Sequence, residues 1–512
     1  RDVERSRGLG DVYKRQIITN KALTHEQKLT NLANAADGLL EVLDVPEGLD
    51  ELLNCDDEHR CICDLFEGHA PMRPRYIIPD YEKFFKNGSE FLQLEPPTDF
   101  FEALNDLLII YKHVPSVTNY PVYLGQLDYL LEPFIADIDD ATVKKHLKLF
   151  FTNIDRTVLD SFSHADIGPK ATRAGYLILE VQAELENAIP NISMKYDPDI
   201  TDDDFALACV KCALKTAKPS FANHQMFKNE LGENYVIASC YNGLLLGGGA
   251  YTLCRLILGH IAERSEGIED FKKNKLPYVM DVMAKYMDAR IAFEVEQSGF
   301  FEANFLAKEG LIHRDRFTGM FGLVGLADAV NILMTKEGRN DRFGHSDAAT
   351  QLGVEIMDII NDFNNNHFNK YCEGTGGHFL LHAQVGIAED KGIAPGTRIP
   401  IGEEPDELVD HLDVISHFHK YFVSGTGDIF PMDLTVHKNP EYVLDIIKGS
   451  WQKGIRYLSF YSSESDVIRI TGYLVKRSEI EKYEQGIAVL QNTTQLGTGA
   501  KHNGKILERK VR

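Results

Sequence analysis

A glycine stands at the centre of a β-rich run in the last part of the sequence, Val467-Ile468-Arg469-Ile470-Thr471-Gly472-Tyr473-Leu474-Val475. Glycine weakens a strand, so its presence there asks for a reason, of which a bulge or a close backbone approach is the plainest. Cys240 closes the strand-like run Tyr235-Val236-Ile237-Ala238-Ser239 and precedes Tyr241-Asn242-Gly243, which puts a thiol at a loop tip. A single cysteine is ordinarily a small buried hydrophobe. The alternative is a reactive thiol. Cys209 and Cys212 form a CxxC inside a helical stretch from Phe205 to Thr216, and with no second pair a metal site there would need further ligands that the sequence does not show. Cys61, Cys63, Cys254 and Cys372 read as packing or loop residues. His417 and His419 would share one face if Val414 to Tyr421 is a strand. With His411 they could then bind a metal or a substrate carboxylate, or else stand solvated or hydrogen-bonded beside Asp410 and Asp413. His378, after the run Gly374 to Gly377, and Asp428, after Gly425-Thr426-Gly427, are further loop-tip candidates. Neither glycine run has the lysine or the strand–loop–helix setting of a phosphate cradle.

The run around Gly472 resembles the glycyl radical signature of anaerobic radical enzymes: a small aliphatic residue, any residue, Arg, a β-branched residue, a small residue, Gly, Tyr. Val467, Ile468, Arg469, Ile470, Thr471, Gly472 and Tyr473 fill every slot. The stretch around Cys240 resembles the cysteine loop of the same enzymes, in which an aliphatic strand ends in Ala-x-Cys before glycines and a helix. Phe317 to Leu326 and Gly454-Ile455-Arg456-Tyr457 are similar to the anaerobic ribonucleotide reductase branch. The likeness runs from about Tyr120 onward and is nearest to the YjjI-type family of glycyl radical enzymes.

That resemblance implies a ten-stranded α/β barrel with the cysteine and glycine loops meeting inside, and it gives the residue types a chemical meaning. A radical on an α-carbon is delocalised over the flanking amides only if the carbon flattens, which glycine, lacking Cβ, does most cheaply. A thiol suits as carrier because its S–H bond is similar in strength to the glycine α C–H. Gly472 would store the radical as a modified residue and Cys240 would deliver it, with Arg469, Thr471 and Tyr473 shaping the radical loop and Asn242, His378, His417, His419 and Asp428 as substrate-binding candidates. The implied partners are a radical S-adenosylmethionine activase, which keeps the S-adenosylmethionine and iron–sulfur cluster to itself, and a small-molecule substrate. No cofactor or metal would be bound permanently. A homodimer is left open. The competing reading is a catalytically silent homologue acting as a binding or scaffold protein.

Departures from better-known relatives narrow the reaction. Pyruvate formate-lyase uses two adjacent cysteines, whereas Ser239 and Tyr241 flank Cys240. Diol dehydratases carry a glutamate two residues past the cysteine, where this chain has Asn242, and an amide cannot serve as that base. Anaerobic ribonucleotide reductases carry four zinc cysteines close to the radical glycine, but no cysteine follows Cys372.

The elements that must position these residues divide the chain. Residues 1–16 (RDVERSRGLGDVYKRQ) lack an apolar period, resemble translated adapter read-through and are expected to be a non-native leader. Residues 17–230 read as a largely helical part that contributes to the barrel, opening with Leu29, Leu32, Leu39, Leu40 and Leu43 near one helix face. Residues 231–450 alternate short β-rich runs (Tyr235 to Ser239, His378 to Val385) with helical ones (Tyr251 to Arg264, Ala348 to Asn364), as a barrel core does. Residues 451–512 carry the radical loop and the runs Arg456 to Tyr461 and Val467 to Thr471. The 512 residues are 44% apolar and 26% charged, enough for a large core. With 77 acidic against 54 basic residues the formal charge is −23, which disfavours nucleic acid and anionic membranes as partners. The longest apolar stretch, Leu244 to Leu258, is broken by glycines and Arg255, and eight cysteines without a secretory leader suggest a cytoplasmic enzyme with reduced thiols.

Overall fold

The computed structural model describes residues 14–37, 43–53, 59–64, 72–116, 120–383 and 392–512. In chain order the strands are β1 (Ile62–Asp64), β2 (Tyr76–Ile77), β3 (His164–Ile167), β4 (Asn191–Tyr196), β5 (Ser220–Asn223), β6 (Tyr235–Ala238), β7 (Asn242–Leu245), β8 (Gly249–Ile257), β9 (Phe317–Val324), β10 (Leu380–Ala383), β11 (Asp428–Met432), β12 (Tyr457–Ser462), β13 (Val467–Arg469) and β14 (Leu474–Lys476). Ten of them, among the described residues, form two five-stranded sheets. One has the order β1-β8-β9-β10 with β2 also on β8, and the other runs β11-β12-β5-β4-β3. The β6–β7 and β13–β14 pairs are antiparallel hairpins outside both sheets.

Parallel pairing of β8, β9 and β10, and of β3, β4 and β5, requires crossovers, and helices supply them. Strands covered on both faces read as unbroken apolar runs. Tyr251 to Ile257, expected to be helical, makes up all of β8 but its first two residues, and the helix that follows is only Leu258–Glu263. A short apolar run does not separate strand from helix by period alone. The direct register Cys63, Arg255, Gly322, His382 across β1, β8, β9 and β10 sets these residues on one face. His382 identifies it as the inner face, because its ring stacks on Tyr241 of the β6–β7 hairpin, 5.7 Å between centroids.

The N-terminal region is helical as expected, with helices such as Phe100–Tyr111, Asp140–Thr157 and Asp203–Thr216, the last holding buried Cys209 and Cys212. It also supplies β1 to β5, five strands that the helical reading of residues 17–230 did not resolve. The first helix after Lys21 is His25–Asp37, but its inner face differs from the leucine stripe. Leu29 is 55% exposed, whereas the buried Gln27 donates its amide to the Val489 carbonyl at 3.0 Å. Leu39 and Leu40 lie outside the described residues, as do residues 1–13 of the expected leader, while residues 14–19 are helical. Residues 384–391, which include the end of the run expected to reach Val385, are also outside them.

Candidate active site

Cys240 lies at the tip of the β6–β7 hairpin. The ladder from Tyr235↔Leu245 to Ala238↔Asn242 leaves Ser239, Cys240 and Tyr241 as a three-residue turn, with Ser239 in the left-handed region at φ +61°. The hairpin is pinned on both strands: the Ile237 amide donates to Asp166 Oδ2 at 2.9 Å, and the Gly243 amide to the Ser424 carbonyl at 2.7 Å. At the tip, Tyr457 OH donates to the Cys240 carbonyl at 3.0 Å, and His164 Nδ1 lies 3.1 Å from the Ser239 carbonyl. Burial lowers the His164 pKa to about 3, so the ring is neutral near pH 7.

Gly472 lies in the link between β13 and β14, closed by an Ile470 amide bond to the Tyr473 carbonyl at 3.0 Å. Its backbone is not left-handed, so conformation does not demand glycine here. Close approach does. A β-carbon built on Gly472 would overlap the Cys240 side chain, 2.5 Å from its Sγ and 2.7 Å from its Cα. Allowing one further carbon–carbon bond of about 1.5 Å, the Gly472 α-carbon lies within about 4 Å of the thiol sulfur and of the Cys240 α-carbon. Residues 232 positions apart are therefore in van der Waals contact.

The thiol is held protonated. Burial pushes the Cys240 pKa up to about 11, only partly offset by the Ser239 hydroxyl at 3.6 Å and by the positive charges of Arg469 and Arg75. At pH 8 about one molecule in a thousand would carry a thiolate. Alkylation of Cys240 by iodoacetamide at pH 8 should thus run roughly two orders of magnitude slower than for a free cysteine and rise with pH towards 11. Peptide mapping reads this rate, and labelling at the free-cysteine rate would contradict it.

Of the other candidates, Arg469, Thr471 and Tyr473 surround Gly472. Arg469 Nη1 donates to the Gly472 carbonyl at 3.2 Å, the Thr471 hydroxyl is buried with no hydrogen-bond partner among the described residues, and the Tyr473 ring packs on Phe162 at 5.1 Å. Asn242, two residues past the thiol, is fully buried, and among the described residues neither amide atom is hydrogen-bonded. Such a group costs free energy unless something meets it. His378 lies two residues before β10, and its Nδ1 faces the His367 carbonyl at 3.0 Å.

His417 and His419 do not share a face. Residues Leu408–His419 are a helix, not a strand, and a spacing of two turns side chains to opposite sides: His417 is exposed and His419 buried. His419 accepts the Arg456 amide on Nδ1 at 3.0 Å, which leaves Nε2–H to donate to Asp428 Oδ2, also at 3.0 Å. Burial favours a protonated Asp428, but the His411 ring 3.8 Å away, the hydrogen bond from His419 and the Arg398 charge outweigh it, holding the carboxyl well below the usual range. This cluster ties the helix to β11. It approaches Tyr241, next to the thiol residue, through Gly425 and Gly427, where β-carbons would come within 3.1 and 3.2 Å of the Tyr241 ring.

Sequence reasoning missed the residues beneath the two loops. Asn191 Nδ2 donates to the Gly472 carbonyl at 2.7 Å, and Ser193 links Tyr457, at 2.8 Å, to His164, at 2.9 Å. The signal was present in β4, whose Asn191, Ser193 and Lys195 alternate with apolar residues.

Comparison with known proteins decides what this arrangement belongs to. The sequence profile of the family described as "Glycyl radical enzyme YjjI-like" matches residues 23–512. The chain belongs to the YjjI-like family of glycyl radical enzymes. It is similar to an uncharacterized protein of Haemophilus influenzae, 47% identical over 499 residues that cover 96% of this chain and 95% of that one. It is also similar to YjjI of Escherichia coli, 43% identical over 500 residues covering 97% and 95%. The YjjI-like fold is that of the glycyl radical enzyme barrels. The glycerol dehydratase of Clostridium butyricum, solved with glycerol bound, superposes with a TM-score of 0.67 at 12% identity, covering 96% of this chain and 86% of that one. The anaerobic ribonucleotide reductase of Thermotoga maritima, solved with dATP and CTP, gives 0.64 at 13%, covering 83% and 84%. Among the described residues no helix is long and apolar enough to cross a membrane.

Proposed function

We propose that this YjjI-like protein stores a radical on the α-carbon of Gly472 and works through Cys240. In the delivering step the hydrogen atom of Cys240 Sγ–H moves to the Gly472 α-carbon, which becomes an ordinary glycine again, and the unpaired electron is left on sulfur. The thiyl then takes a hydrogen atom from a carbon of a small-molecule substrate, and the reverse steps return the radical to Gly472. The observation that carries this reading is the contact between the Gly472 α-carbon and the Cys240 thiol, because hydrogen-atom transfer needs reacting atoms about 3–4 Å apart. A thiol kept protonated by burial supports it further, since a thiolate has no hydrogen to give.

Asn242 is the substrate-facing amide in this reading, offering donors and an acceptor to a hydroxyl or carbonyl beside the reacting carbon. It cannot act as a base, which argues against the dehydration chemistry of a cysteine–glutamate site, and the lack of a cysteine beside Cys240 argues against acyl transfer. The radical would be installed by a radical S-adenosylmethionine activase that carries its own iron–sulfur cluster, in an anaerobic cytoplasm, with a homodimer as a compatible assembly. The test is an anaerobic electron paramagnetic resonance spectrum after incubation with the activase and a reductant. A carbon-centred signal split by one α-hydrogen is expected; a spectrum without any protein radical would make the chain a silent member of the family.

A further inference from the structure

Two side chains on different elements, Asn191 and Arg469, converge on the carbonyl oxygen of Gly472, and their hydrogen-bond directions are fixed. Asn191, at the start of β4, reaches it with Nδ2 at 2.7 Å, and Arg469 reaches it with Nη1 at 3.2 Å. The other guanidinium nitrogen, Nη2, donates to Asn191 Oδ1 at 2.9 Å and to the Ala217 carbonyl at 2.7 Å. Asn191 Oδ1 also accepts the Ile192 amide at 2.9 Å. Because a guanidinium and a backbone N–H can only donate, the oxygen of the Asn191 amide must face them, and its NH2 must face Gly472. Arg509 completes the frame from outside, donating Nη1 to the Arg469 carbonyl at 2.7 Å and Nη2 to the Ile470 carbonyl. Asn191, Arg469 and Arg509 are all buried.

We infer that Asn191 is a positioning residue for the radical, which with Arg469 forms a two-donor cradle on the Gly472 carbonyl that flattens the glycyl unit and favours the radical on carbon over the radical on sulfur. This rests on the reading of Gly472 as the radical store and adds a residue outside the glycine loop to it. When the α-carbon loses a hydrogen atom, spin and charge spread onto the carbonyl oxygen it adjoins, and that oxygen becomes a better acceptor. Donors already aimed at the oxygen need no reorganisation, and one of them belongs to a cation in a buried setting, where such bonds are stronger. The Cys240 carbonyl is also bonded, by Tyr457, but it is separated from Sγ by saturated carbons and gains nothing when the radical moves to sulfur. The cradle thus acts on one side of the transfer.

The experiment is electron–nuclear double resonance on the activated full chain exchanged into heavy water, supported by Asn191→Ala. Wild type should show an exchangeable deuteron coupling from the Asn191 amide. In Asn191→Ala that coupling should vanish and the anaerobic lifetime of the radical should fall about tenfold, the scale expected from one buried hydrogen bond. A wild-type radical whose only exchangeable couplings are those of the Gly472 α-hydrogen and the flanking backbone amides would overturn the cradle while leaving Gly472 as the store. Absence of any radical would instead overturn the store itself. If Asn191→Ala does not fold, the nitrogen coupling in wild type carrying 15N-labelled asparagine side chains decides, its absence overturning the cradle, and an Asn191→Ala radical with unchanged coupling and lifetime also overturns it.

Discussion

Air admitted to the activated protein should cut the chain at Gly472, giving one large fragment and one of about 40 residues that begins near Tyr473. A backbone carbon radical adds dioxygen, and the resulting peroxyl breaks the chain at that carbon, so the cut marks where the spin was. The effect is all or none. Unactivated protein should stay whole, as should Gly472→Ala taken through the same activation. The alanine variant has a further physical consequence, because its methyl group would overlap Cys240 and must push the loop away from the thiol, an overpacking that costs about 1–3 kcal/mol. It should fold, with a lowered melting temperature, and carry no spin. Mass spectrometry after brief air exposure reads the fragments. Intact chain from a sample whose spins had been counted beforehand would mean that the radical sits on another residue.

The two residues on which this account turns were legible because each lies in a short local pattern: seven consecutive residues around Gly472, and an aliphatic run ending in Ser239-Cys240. What brings them together was not local. Contact requires β13–β14 and β6–β7 to meet between two sheets, one of which draws β3, β4 and β5 from a region that reads as helical because those strands are only four to six residues long among longer helices. The polar alternation of Asn191, Ser193 and Lys195 is the mark of a half-buried strand, and period alone sets its polar residues towards water. In this fold the polar face turns inward, where Asn191 meets Gly472, Ser193 meets Tyr457, and Lys195 meets the Tyr235 carbonyl at 2.9 Å. The reversal has a physical cause: the interior must satisfy the exposed backbone of two loop tips, and only polar side chains can do so. His417 and His419 failed for the opposite reason, since a two-residue spacing means one face in a strand and two faces in the helix Leu408–His419.

The relay itself can be tested without knowing the substrate. If Cys240 and Gly472 exchange a hydrogen atom, the α-hydrogen left on the radical passes repeatedly through the thiol, whose proton exchanges with solvent. A sample activated anaerobically and transferred to heavy water should therefore lose its two-line electron paramagnetic resonance splitting, because the deuteron that replaces the α-hydrogen couples far more weakly. In Cys240→Ser the stronger O–H bond blocks the exchange, so the same amount of radical should keep its two lines. A doublet that persists in wild type, or that collapses equally fast in Cys240→Ser, would contradict hydrogen transfer between these two residues.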